Sequence, residues 1–175
     1  MGASGRPVTG NIDPARIRTL LDFAGQTYRF TVLDVPRSDT VALDSLDSAT
    51  KIVLVVNQEL ATVRTASRMA ATLRQRYGQN RLHLALTRTD RRAEIGHEDV
   101  ERTVGVEIAH TFPSDYRLAL QAMNKGRPLV LDGQHDLAKA FTTFGRDLAG
   151  VPAPAQRAEK VRAGGLFGRL APRKA

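Results

Sequence analysis

The residues best placed to do chemistry are one aspartate at the end of an apolar run, four scattered histidines and a few serines. Asp34 follows Tyr28-Arg-Phe-Thr-Val-Leu33 and precedes Val35-Pro36-Arg37. In an open parallel sheet the C-terminal ends of strands border the ligand crevice. A carboxylate there can hold Mg²⁺, usually through water. Asp-x-Pro is equally common turn chemistry, in which the carboxylate caps the backbone, and the spacing leaves both readings open. His97-Glu98-Asp99 offers metal-ligand types but lacks the i, i+4 histidine pair of a zinc helix. An acidic cluster opening a helix also complements the helix dipole. His83, His110 and His135 lie apart, and Ser38, Ser45, Ser67 and Ser114 have no nucleophile-elbow context. With no cysteine, disulfides, thiolate metal sites and thiol catalysis are excluded.

Phosphate chemistry has an equally clear signature. A Walker A loop needs Gly-Lys-Ser/Thr, because backbone N–H groups cradle the phosphates while the lysine meets their charge. The five lysines stand at 51, 125, 139, 160 and 174, and none follows a glycine. No GxGxxG opens a helix either. The usual phosphate cradle is not encoded in these 175 residues.

Charge and composition narrow the classes further. The net charge is +8, but residues 151–175 hold six bases and one acid, so +5 sits there and only +3 on residues 1–150. A high pI therefore does not mark a basic face on the fold. With no tryptophan and 5% aromatics, a base-stacking single-strand binder is disfavoured. Arg68, Arg74 and Arg76 share one expected helix, and such arginines are usually its solvated face, so nucleic acid is an unlikely partner. No run approaches the ~18 apolar residues of a membrane helix. The first residues lack the apolar core of a signal peptide, so a cytoplasmic protein is expected.

These candidates need elements to hold them. Residues 1–12 read as a flexible arm, 13–150 as one α/β domain and 151–175 as a basic flexible tail. Asp13-Pro14 looks like a cap and first helical residue, followed by Ile17, Leu20, Leu21 and Ala24 at helical spacing up to Gly25. Strands are expected at 28–34, 51–56, 81–86 and 106–112, and helices at 41–49, 60–77, 98–104, 114–124 and 135–149. The helix at 41–49 carries Val41 and Leu46 inward. The run at 51–56 is continuously apolar, as in a strand covered on both faces. The last helix is expected to bury Leu137, Phe141, Phe144 and Leu148. Strands alternating with helices imply a mainly parallel sheet with helices on both faces. In the tail, Leu166, Phe167 and Leu170 beside Arg169, Arg173 and Lys174 have the composition of a weak interfacial helix on an anionic membrane, and equally of a solvated tail.

Four segments in order resemble part of a MinD/ParA-type ATPase, most like its CpaE-like branch linked to pilus assembly and polar localisation. They are 28–37 with its Asp-x-Pro, Ile52-Val-Leu-Val-Val-Asn-Gln-Glu-Leu-Ala-Thr-Val-Arg64, Leu84-Ala-Leu-Thr-Arg-Thr-Asp90, and Phe112-Pro-Ser-Asp-Tyr116 followed by Ala122-Met-Asn-Lys-Gly-Arg-Pro128. The resemblance covers residues 13–150. It implies an incomplete P-loop fold lacking the Walker A strand, with ATP and Mg²⁺ as the family's ligands. Asp34 would be the switch carboxylate near Mg²⁺ and the γ-phosphate. Thr87 and Arg88 would lie beside the adenine, and Pro113, Ser114 and Asp115 would flank the base. Thr87 stands where the family has asparagine and cannot offer the paired contacts of an amide. Arg37 replaces a glycine found in many relatives. The resemblance further implies a homodimer or a phosphate-loop-bearing partner, work with pilus or secretion machinery, and a peripheral place at the inner membrane face, with 164–174 as a contact. A missing central strand would leave apolar backbone edges unpaired. The chain alone is therefore expected to be poorly stable or to need a partner, and to have no ATPase activity.

Overall fold

The computed structural model describes residues 13–37 and 43–152. Strands β1 (Ile52–Val56), β2 (Leu82–Thr89) and β3 (Ile108–Pro113) form a parallel sheet in the order β1-β2-β3. Ile52 pairs with Leu82 and Val56 with Leu86; Leu84 pairs with Ile108 and Thr89 with Pro113. Side chains alternate along a strand. Ile52, Leu54 and Val56 therefore join Leu82, Leu84 and Leu86 in one core layer, while Val53 and Ala85 belong to the other.

The first described helix, α1 (Pro14–Thr27), starts as the sequence requires: Asp13 accepts from the Ala15 N–H at 2.9 Å, with proline at the first position. Helix α2 (Leu60–Tyr77) links β1 to β2, and α3 (His97–Val104) links β2 to β3. Parallel strands added in one direction with same-handed crossovers put both helices on one face. Val63, Ala66, Ala70, Leu73 and Tyr77 of α2, with Val100 and Val104 of α3, fill it. Helix α3 stops at Gly105 (φ 72°), where a Cβ would lie 3.1 Å from Arg74 Nη1. The same guanidinium donates to the Gly105 carbonyl at 2.7 Å, fixing α2 to the end of α3. After β3 the chain crosses to the second face. There α4 (Tyr116–Lys125) and α5 (Asp136–Ala149) supply Leu118, Leu137 and Phe144 to a smaller core around Ala85 and Phe112.

Three expectations need correction. Residues 28–34 are not a strand, and the chain bends at Arg29. Among the described residues β1 pairs only with β2, so the segment has no ladder to join. Its Tyr28, Phe30 and Val32 are 59%, 56% and 92% exposed. In the 41–49 helix, Val41 lies outside the described residues, and Ser45–Ser48 is a 3₁₀ turn. Leu46 is buried there as expected, and the turn is held by Arg76 on Asp44 at 2.7 Å and by the Tyr77 hydroxyl on the Leu43 carbonyl at 2.7 Å. In α5, Leu137 is buried but Phe141 remains 39% exposed, its ring resting on Phe112 at the margin of the smaller core.

Candidate functional site

The C-terminal ends of the three strands lie side by side and carry the polar residues that the apolar runs do not. β1 runs into Asn57-Gln58, β2 ends in Thr87-Arg88-Thr89 followed by Asp90, and β3 runs through Pro113 into Ser114 and Asp115. Hydrogen bonds tie these ends into one rim. The Thr87 hydroxyl donates to the Val56 carbonyl at 3.1 Å, and the Thr89 hydroxyl to the Phe112 carbonyl at 3.3 Å. The Ser114 N–H donates to the Thr89 carbonyl at 3.3 Å. The Thr87 donor is thus used internally, and its oxygen keeps acceptor capacity.

Arg88 is the distorted member. The β2–β3 register shifts between Leu86 and Thr89, and Arg88 takes φ +53°, the only positive φ at a non-glycine among the described residues. The left-handed conformation costs a side-chain-bearing residue about 1–2 kcal/mol. Such strain persists where the surroundings impose it, often at functional sites. The Arg88 side chain is exposed, and its guanidinium makes no hydrogen bond or ion pair with another described residue. Asp115, in contrast, is engaged: its carboxylate accepts from the Leu118 N–H at 3.0 Å and caps α4.

The structure thus brings Thr87, Arg88, Pro113, Ser114 and Asp115 together, and no hydrogen bond joins Asp34 to them. Asp34 is exposed and bonds to no described residue, so its turn-capping reading finds no partner there. Val35 next to it packs on the larger core. His97-Glu98-Asp99 resolves toward the helix-start reading: Asp99 accepts from the Gly96 N–H at 3.2 Å and from Arg102 at 2.7 Å. Among the described residues no three acidic or histidine side chains cluster to hold a metal.

Two residues escaped the sequence reading. Gln58 bridges two loops, donating to the Ile95 carbonyl at 2.8 Å while its oxygen accepts from the Asp90 N–H at 2.8 Å. Asn57 beside it has a buried Oδ1 with no hydrogen-bond partner. Their only sequence signal is that they are the first polar side chains after the apolar run of β1.

At the other end of the sheet, charges serve packing. Lys51 Nζ donates to the carbonyls of Asp147 and Leu148 at 2.8 and 3.2 Å, where α5 ends. His110 Nε2 lies 3.4 Å from the Asp147 carboxylate, and its ring meets Phe144 edge-on at 4.7 Å. Burial first, then the Lys51 ammonium and His110, hold His83 below the ordinary imidazole range.

The fold is that of the MinD/ParA P-loop ATPases. Over 79–84% of the chain the likeness to solved structures reaches a TM-score of 0.72 for the Aquifex aeolicus MinD cell division protein (23% identity; 84% of this chain, 65% of that one) and 0.72 for a ParA family ATPase of Chlorobium tepidum (21%; 79% and 60%). The Pyrococcus horikoshii septum site-determining protein MinD, solved complexed with Mg-ADP, matches at 0.66 (20%; 78% and 56%). In sequence the chain is homologous, at modest identity, to the septum site-determining protein MinD of Escherichia coli K12: 28% over 162 residues, covering 85% of this chain and 60% of the relative. The chain therefore spans about 60% of the length of the curated relatives it matches. No family model matches it. No helix among the described residues is long and apolar enough to cross a membrane.

Proposed function

We propose that residues 13–150 are the base-holding part of a MinD/ParA-like nucleotide switch of the CpaE-like type, serving pilus assembly or subcellular positioning in the cytoplasm or at the inner membrane face. One observation carries this reading: a strained, unpartnered Arg88 on the same rim as Pro113, Ser114 and Asp115. Thr87 and Arg88 would contact one side of the base, and Pro113, Ser114 and Asp115 the other. The Mg-ADP held by the Pyrococcus horikoshii MinD supports ATP and Mg²⁺ as ligands.

The residues present fit only part of such a ligand. On the base side the rim has an open guanidinium and hydroxyl and carbonyl acceptors. On the phosphate side no lysine follows a glycine, and Asp34 stands alone as a carboxylate for Mg²⁺. A bound ATP would supply the γ-phosphate whose loss flips a switch of this kind. The residues here orient the base and contribute no phosphate grip, so no hydrolytic step is assigned to them.

The grip would then come from a phosphate-loop-bearing partner or from further polypeptide. The edge of β1, unpaired among the described residues, and the exposed apolar side chains of 28–33 favour that, because both are surfaces that strand addition covers. The same observation supports a second reading, a non-catalytic module that docks on a phosphate-loop protein. The test is Mg²⁺-dependent ATP hydrolysis. The purified chain is expected to be inert and to recover turnover only with a phosphate-loop protein. Turnover by the chain alone would overturn the proposal, and co-purification of such a protein without turnover would favour the docking module.

A further inference from the structure

We infer that Gln58 is a positioning residue for the rim: its side-chain amide, reaching across from the end of β1, fixes the peptide that keeps Arg88 left-handed beside Ser114. Its hold on Arg88 stands on geometry, and the consequence for binding rests on the nucleotide reading.

β2 carries one residue more than β3 at this point. It takes three steps from Leu86 to Thr89 while β3 takes two, from Thr111 to Pro113. An extra residue in one strand bends it and re-aims a side chain, often next to active sites. A side-chain-bearing residue stays at φ +53° only where its surroundings impose it. Before Arg88 the chain is pinned by the Thr87 hydroxyl, which donates to the Val56 carbonyl at 3.1 Å. After it the pin is the Thr89–Asp90 peptide. The C=O and N–H of a trans peptide point in opposite directions. Here the C=O accepts from the Ser114 N–H at 3.3 Å on the β3 side, and the N–H donates to Gln58 Oε1 at 2.8 Å on the β1 side. The β1–β2 ladder ends at Val56 and Leu86, so the Gln58 side chain serves as one further rung.

The amide is itself oriented. Its Nε2 donates to the Ile95 carbonyl at 2.8 Å, which leaves Oε1 for Asp90. Both ends of the amide are thus used, as a side chain with one donor end and one acceptor end allows. The loop between these contacts is closed from within: Asp90 Oδ1 accepts from the Arg92 N–H at 2.8 Å, and the Asp90 carbonyl from the Ala93 N–H at 3.2 Å. Without Gln58 the Asp90 N–H bonds to water, the peptide turns freely, and Arg88 relaxes to negative φ. Its guanidinium then moves relative to Pro113 and Ser114.

The experiment is a double-mutant cycle on the full chain, read by urea melts of wild type, Gln58→Ala, Arg88→Gly and the pair. Arg88→Gly is expected to raise the folding equilibrium constant about fivefold in the wild-type chain. In the Gln58→Ala background the gain is expected to fall below about twofold, because no strain is left to relieve. A residue that only closes the loop would lower stability and leave the fivefold gain intact, and that result overturns the inference. Should Gln58→Ala unfold the chain, Gln58→Met removes both hydrogen bonds at similar length and carries the same cycle. Gln58→Glu keeps an acceptor for the Asp90 N–H and is expected to restore most of the gain. Binding is read on the same proteins by amide NMR with ATP and Mg²⁺. The Kd is expected to rise about tenfold in Gln58→Ala, as for loss of one hydrogen bond from the guanidinium. Undiminished binding by Gln58→Ala overturns the positioning role. Absence of rim shifts in the wild-type chain overturns the nucleotide reading instead, and the cycle still decides whether Gln58 holds Arg88.

Discussion

Residues 28–33 and 52–56 have similar sequences and opposite fates. Residues 52–56 are almost all β-branched and 28–33 mix aromatic and β-branched side chains, both favouring strands, yet Ile52 and Val56 are buried at 5% and 1% exposure while Val32 is 92% exposed. The difference is the neighbour. β1 has β2 beside it and α2 above it, whereas among the described residues the earlier segment pairs with no strand, and Val35 just after it is what packs on the larger core. β-propensity describes fitness for a pleated, half-buried surface rather than an intrinsic backbone choice. The molecule therefore divides into a sheet whose larger core layer is sealed by α2 and α3, while Val55 on the other face is 59% exposed, and an N-terminal part in which Ala24 is the one buried residue of α1.

The largest expected effect breaks that comparison directly. Leu84→Ala removes a fully buried side chain at the centre of the sheet and is expected to cost about 2–5 kcal/mol. Val32→Ala is expected to change stability by less than about 0.5 kcal/mol. Urea melts of both variants check this, and equal losses would mean that the N-terminal segment shares the core. Next in size is Arg88→Gly. Removing Cβ from a left-handed residue is expected to stabilise the chain by about 1 kcal/mol while weakening nucleotide binding. A neutral or destabilising result would show that the side chain, not the backbone, holds the rim.

The smallest effect concerns the opposite end of the sheet. His83 titrates below its ordinary 6.5 because burial, then Lys51 and His110, disfavour the cation. The unfolded chain binds the proton more readily, so the stability this site contributes is present above pH 6.5 and is lost as pH falls below it. His83→Gln is expected to flatten this limb of the stability–pH curve in thermal melts, while Val32→Ala leaves it unchanged.

How much of this was legible in sequence follows from the range of the interactions. The 60–77 helix was readable to the residue, because its apolar stripe and Gly78 are local signals. The parallel sheet followed from the alternation of runs. Residues 28–34 misled because pairing is non-local, and Phe141 because a helical period does not say how far the covering element extends. Thr87, Arg88, Pro113, Ser114 and Asp115 were named by resemblance, and they stand on one rim. The strain at Arg88 had no sequence signal, and the Gln58 bridge only that of a polar residue following an apolar run, since they arise from how β2 meets β3 and from loops 32 residues apart.

The central claim, that the rim holds the base and the phosphate grip lies elsewhere, is tested most directly by backbone amide NMR of the full chain at millimolar ATP and Mg²⁺. The account expects weak, fast-exchange shifts confined to Thr87, Arg88, Thr89, Asp90, Ser114 and Asp115, abolished by Arg88→Ala, with no release of phosphate. Shifts centred on another surface, or none at the rim at saturating ATP, would contradict it.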